Sequence, residues 1–176
     1  MKKIIFIFCI FCNFLNAQTD STSKFHVGAR MKKYAGFYYV NGFSVNMKSP
    51  FSKNGSVYYG LNFGTTLLGS AFQSNALTTF ETELTATKLY RVKKVVQPLL
   101  RINLGVVAVR FGEDAALFQD IPQWGIMSAV ETGAQIDLSK VHPKLLAQIT
   151  GGFHFYNNGP GVVYPAYAAA QICWKL

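Results

Sequence analysis

The sequence predicts an all-β chain, an eight-stranded antiparallel up-and-down transmembrane β-barrel with an apolar outside and a polar interior. Three observations carry this. Eight runs alternate apolar and polar residues at the two-residue period of a strand, at about 24–31, 37–48, 56–68, 77–91, 97–111, 123–138, 144–156 and 164–176. Several of these runs exceed ten residues, whereas a strand of a soluble protein has about five or six and a membrane-crossing one needs about 9–11. The chain also opens MKKIIFIFCIFCNFLNAQ, the pattern of an export signal.

In that opening, Lys2 and Lys3 form a basic start, Ile4 to Leu15 is nearly all apolar, and Asn16-Ala17 supplies small residues for cleavage after Ala17. Asn13 and Asn16 interrupt the run before the roughly 20 apolar residues of a membrane-spanning helix. Bulky Phe8 and Phe11 before Cys9 and Cys12 argue against lipid attachment. The expectation is a cleaved signal over 1–17 and a single domain over 18–176. Losing Lys2 and Lys3 leaves 15 basic against 8 acidic residues, a formal charge of +7, and one cysteine, Cys173. One thiol builds no internal disulfide framework, so stability must come from a core or from strand closure. The basic balance does not read as nucleic-acid binding: the chain is exported, has no recognition helix, and scatters its basic residues at segment ends.

The runs justify themselves in order. The first carries Gly28 on its polar face, and the second is the least regular, with Asn41 on its apolar face. The third sets Val57, Tyr59, Leu61 and Phe63 against Ser56, Gly60, Asn62 and Gly64. The fourth, FETELTATKLY, turns Phe80, Leu84 and Tyr90 one way and Glu81 and Glu83 the other, with Lys88 near an edge where it can snorkel. The fifth has Leu100, Ile102, Leu104, Val106 and Ala108 against Arg101, Asn103 and Gly105. The sixth has Ile126, Val130, Ala134 and Ile136 against Glu131, Gly133, Gln135 and Asp137. The seventh sets Ile149, Phe153 and Phe155 against Gln148, Thr150 and His154; the eighth sets Ala168, Ala170, Ile172 and Trp174 against Tyr167, Gln171 and Cys173.

Alternation alone does not say which face points outward. A lipocalin-like soluble barrel, with its apolar face inward around a ligand, is the alternative. Long strands, glycine-rich polar faces suited to a narrow interior, and aromatics gathered near run ends (Tyr58, Tyr59, Tyr90, Phe111, Trp124, Phe153, Phe155, Tyr156, Trp174) favour the apolar face outward, in lipid. The lipocalin Gly-x-Trp signature is missing, Gly36-Phe37-Tyr38 being its nearest match. Connections after odd runs tend to be longer, the first excepted, which places both ends of the barrel strand order on the periplasmic side. Lys48, Lys53, Arg91, Lys93, Lys94, Lys140 and Lys144 then lie near the short turns, and Glu113, Asp114 and Asp120 in the longest loop.

The signal, the eight alternating runs and the aromatic-rich last run resemble the small outer-membrane β-barrels of the OmpA/OmpX type across the whole mature chain. The resemblance is one of pattern rather than motif. It implies a bacterial outer-membrane location, insertion by the barrel assembly machinery, and outer-membrane lipid as surroundings. Barrels of this type often end in an aromatic residue; here Trp174 stands two residues before Leu176.

Two constellations could carry chemistry. Hairpin register places Glu81, Glu83, Arg101 and Glu131 on one inner face, where Arg101 would answer the glutamates in a charge network, since buried charges must be paired. That arrangement is either a narrow conduit or a sealed salt-bridged core, and the core is expected. His154, inward near the outer rim, invites comparison with lipid A deacylase barrels, which carry His-x-Ser-Asn. Here the stretch is His154-Phe155-Tyr156-Asn157, with tyrosine where the nucleophile should be, so no catalytic residues are assigned. No cofactor motif and no metal-ligand spacing is present, and His26, His142 and His154 lie on separate segments. The expected role is structural or binding, through the loop bearing Glu113, Asp114, Phe118 and Asp120, toward an extracellular ligand.

Overall fold

The structure, a computed structural model, describes residues 24–35, 39–52, 56–66, 77–92, 94–111, 123–157 and 165–176. Its strands are β1 (Phe25–Tyr34), β2 (Tyr39–Lys48), β3 (Val57–Thr65), β4 (Leu77–Leu89), β5 (Val96–Phe111), β6 (Trp124–Asp137), β7 (Leu145–Asn157) and β8 (Ala166–Lys175). Each is antiparallel to its sequence neighbours, and β1 pairs with β8, from His26↔Lys175 to Tyr34↔Tyr167, to close the barrel. Closure leaves no unpaired edge. Strand lengths run from 9 to 16 residues, enough to cross a hydrocarbon layer.

The expected runs and the observed strands differ most at β1. The first run stops at 31, but the strand continues to Tyr34. Lys32 and Lys33 look like a loop by composition. Parity decides otherwise: Arg30, Lys32 and Tyr34 keep the inward phase set by His26. Tyr58 is a second correction. It turns into the barrel mouth and stacks on His26 at 4.9 Å instead of joining an outer girdle.

Three tight turns close the end of the barrel that holds Phe25 and Lys175. In one, Ser49 and Ser52 hydroxyls accept from the backbone N–H groups of Phe51 (3.3 Å) and Ser56 (2.8 Å). In the next, Arg91 takes a left-handed backbone (φ 55°), and Gln97 Nε2 donates to the carbonyls of Val92 and Lys94, each at 3.0 Å. In the third, Val141 and His142 N–H donate to the Leu138 carbonyl at 2.8 and 3.0 Å. These bonds satisfy backbone groups that the ladder no longer serves.

The outward face is apolar along the strands. Phe43, Leu84, Ile102, Leu104, Ile126, Ile149 and Ile172 all stand exposed. Among the described strand residues, outward charges occur only at Lys33, Lys88 and Arg110, each next to the last residue of its strand. Outward Ser128 and Thr132 direct their hydroxyls to neighbouring-strand carbonyls of Phe155 and Leu99, each at 3.5 Å. The interior is layered rather than uniformly polar. Toward the end opposite the tight turns, Val40, Val107, Val109, Met127, Ala129 and Ala169 form an apolar cap with Tyr34 and Tyr167. Below it lie charged and amide side chains.

Gly152 shows how tightly that interior is filled. A Cβ there would stand 2.5 Å from Tyr167 Cζ and 2.9 Å from Glu131 Cγ, whereas at outward Gly151 the nearest atom is 4.0 Å away. Gly152→Ala is therefore expected to destabilise the barrel by about 1–3 kcal/mol through overpacking. Gly151→Ala is expected to leave stability within about 0.5 kcal/mol of the parent. Urea titration of the two variants, folded in detergent, measures the difference.

Candidate functional site

The polar interior is built from strands that are not all neighbours. Glu81 and Glu83 point inward from β4, and β5 sets Gly105, not a cation, beside Glu83. Their positive partners come from β1, across the narrow lumen. Lys32 Nζ lies 2.6 Å from Glu81 Oε2 and 2.6 Å from Glu83 Oε1. Arg30 Nη1 lies 3.5 Å from Glu83 Oε2, and Asn62 Nδ2 donates to the same oxygen at 3.0 Å. The Tyr34 hydroxyl donates to Glu81.

Glu131 is the second centre, with 0 % of its surface exposed. Arg30 Nη2 and Tyr167 OH (2.8 Å) donate to Oε1, as does Asn103 Nδ2 (2.6 Å). Arg101 Nη1 (3.2 Å) and Thr150 Oγ1 (3.1 Å) donate to Oε2. Arg101 is held from two more sides: Nε donates to Thr87 Oγ1 at 2.8 Å and Nη2 to Gln148 Oε1 at 2.5 Å. From Gln148 a ladder of amides descends through Gln135 (2.9 Å) and Gln97 (3.0 Å) to the turn carbonyls of Val92 and Lys94.

Glu81, Glu83, Arg101 and Glu131 thus share one chain of contacts, but Arg101 is not the partner of Glu81 and Glu83. Among the described residues its ion-pair partner is Glu131, directly opposite it in the β5–β6 register. Sequence reasoning missed Arg30 and Lys32, which supply the other two positive charges. The signal available was arithmetic: three inward carboxylates need three inward cations, and Arg30 and Lys32 sit on the inward parity of β1. With them, three carboxylates face three cations and the buried cluster is neutral.

His154 lies on β7 toward the end opposite the tight turns and is 1 % exposed. Its ring packs on Tyr167 (4.4 Å) and Tyr34 (5.6 Å), and Nε2 lies 3.1 Å from the Tyr34 hydroxyl and 3.4 Å from Lys32 Nζ. Lys32 Nζ also sits 4.8 Å from the centre of the Tyr167 ring. The histidine is wedged between the apolar cap and the charged cluster. Among the described residues, no three His, Cys, Asp or Glu side chains are placed to hold a metal. Cys173 is buried and free, accepting from Gln171 Nε2 at 2.9 Å. The space left between Arg30, Gly42, Asn62 and Glu83 is about 10 Å³, room for about one water. Glu113, Asp114, Phe118 and Asp120 lie outside the described residues, as do the side chains of Tyr156 and Asn157.

No protein-family model matches this chain, and no curated protein matches it. Solved structures do. The N-terminal β-barrel domain of Pseudomonas aeruginosa OprF superposes with a TM-score of 0.61 at 14% identity, over 87% of this chain and 97% of that one. Neisserial surface protein A gives 0.56 at 12% identity, over 88% and 98%. Both are eight-stranded outer-membrane barrels, and the likeness shows that this chain has their fold.

Removing one partner of a buried charge cluster leaves another charge unanswered. Glu131→Ala is expected to cost about 3–5 kcal/mol. Lys175→Ala breaks a half-open pair with Asp137 at 3.1 Å, at a cost of under about 1 kcal/mol. Arg101→Ala should likewise cost more than Lys94→Ala. Denaturant midpoints of the four variants decide this, and equal losses at Glu131 and Lys175 would mean that the interior cluster is solvated.

Proposed function

We propose that the mature chain is an integral protein of a bacterial outer membrane, sealed along its axis, with a structural or loop-mediated binding role. The observation that carries this reading is the sorting of side chains by face. Apolar residues dominate the outside of the described strands, and the six buried charges among the described residues cancel one another within. In water such a surface would be a large uncovered apolar area; in lipid it is matched to its solvent. The reverse placement would cost about 2–4 kcal/mol for each basic residue at the bilayer midplane. A soluble ligand-binding barrel needs its apolar face inward around an open cavity, the opposite of this arrangement.

The seal follows from the filling of the lumen. The apolar cap, the Tyr34–His154–Tyr167 layer and the charge cluster lie in series along the axis, and their side chains are almost wholly buried. Enzymatic action on lipid A has little support, since His154 has no open approach and no serine two residues on. Interaction with a ligand then falls to the loops at the capped end, those after β1, β3, β5 and β7.

The purified protein should stay with membranes through alkaline washing, migrate differently on gels before and after boiling, and give no steady conductance in planar bilayers. Water solubility without detergent would end this reading. Lipid A from cells expressing the parent or His154→Ala should carry the same acyl chains; loss of one chain in the parent only would restore the enzyme.

A further inference from the structure

The charges outside the core are unevenly placed. Among the described residues of the tight-turn end, Arg91 and Lys94 stand exposed in one turn and Lys140 in another, with Lys144 at its close and Lys88 outward beside them. The single described acid side chain there, Asp137, is already bonded to Lys175 at 3.1 Å. Lys53 and Lys93 belong to the same connections in the sequence but lie outside the described residues.

A second observation separates this collar from an ordinary solvated rim. Each of these turns presents a large apolar side chain: Phe51 is 89 % exposed, Val95 52 % and Val141 78 %. Val95 follows Lys94, and Val141 follows Lys140. The same level carries outward aromatics, Tyr59, Tyr90 and Trp174, with the His142 ring packed on Trp174 at 4.4 Å. Apolar tips among cations at an aromatic level match the boundary between acyl chains and head groups, where the tip enters hydrocarbon and the ammonium meets phosphate. A partner that was merely acidic and water-soluble would leave Phe51 and Val141 in water.

We infer that the tight-turn end is a basic collar that gathers anionic phospholipid head groups of the periplasmic leaflet around the barrel. This rests on the membrane reading above. The turns with Arg91–Lys94 and Lys140–Lys144 each act as an anchor with two parts: an apolar side chain, Val95 or Val141, that fixes depth, and cations that select phosphate carrying net negative charge over zwitterionic head groups. The selection is electrostatic, so salt weakens it.

The two tryptophans make the test specific, because Trp174 stands at the collar and Trp124 at the opposite end. The protein is folded into phosphatidylcholine vesicles holding a minor fraction of phosphatidylglycerol, with one lipid or the other brominated on its acyl chains. Trp124→Phe reports from Trp174, and Trp174→Phe reports from Trp124. At equal mole fraction, brominated phosphatidylglycerol should quench Trp174 at least about twofold more than brominated phosphatidylcholine. High salt should abolish that preference, and joint replacement of Lys88, Arg91, Lys94, Lys140 and Lys144 by glutamine should at least halve it. Trp124 should show none. Equal quenching of Trp174 by the two lipids in the parent overturns the collar and leaves the barrel in the membrane, with an acidic periplasmic macromolecule as the remaining candidate. No quenching of either tryptophan by either lipid overturns the membrane reading and the collar with it.

Discussion

The structure depends on the cancellation of the Glu131 charge inside a closed lumen. An eight-stranded barrel is just wide enough for its own side chains, so a carboxylate at its centre has no bulk water to turn to. Five side chains from four other strands donate to Glu131: Arg30 from β1, Arg101 and Asn103 from β5, Thr150 from β7 and Tyr167 from β8. Each donor is useful only if its strand holds register, and a slip of one residue would send that side chain into the lipid-facing surface. The carboxylate and the closure of the barrel therefore specify each other.

Several other features follow from that constraint. Gly152 exists to leave room for Tyr167 and Glu131. The β1–β8 seam brings Arg30 and Lys32 within reach of β4 and β6, so the pair that closes the sheet also delivers two of the three cations. The apolar cap surrounds the ion pairs on that side with nonpolar side chains, and a low-dielectric setting strengthens each pair. On the opposite side, the amide ladder from Gln148 to Gln97 ties the cluster to the turn that holds Arg91 in its left-handed conformation.

Much of this was legible in the residues, and its limits have physical causes. A period of two sorts residues by face wherever a strand is recognised, so the outward surface of β5, with Leu100, Ile102 and Leu104, could be read directly. The Glu83–Gly105 register followed from the position of one turn. What alternation cannot supply is the partner across the lumen. Adjacency of β4, β5 and β6 points to Arg101 as the cation for Glu81, Glu83 and Glu131 together, yet the counter-charges of Glu81 and Glu83 come from β1, three strands away along the sheet. Lys32 was hidden further by its context, since Lys32-Lys33 has the composition of a loop although its inward parity continues from Arg30. The apolar cap is hidden in the sequence because Val107 and Val109 look like lipid-facing residues until their phase is counted from Arg101.

The most direct test of this account is a double-mutant cycle between Arg30 and Glu131, with each residue replaced singly and jointly by methionine and stability read from reversible denaturant unfolding in lipid. If the neutral cluster organises the interior, the two single losses should be large and the double loss much smaller than their sum, with a coupling of at least about 1.5 kcal/mol. Additive losses, with coupling within about 0.5 kcal/mol of zero, would contradict it.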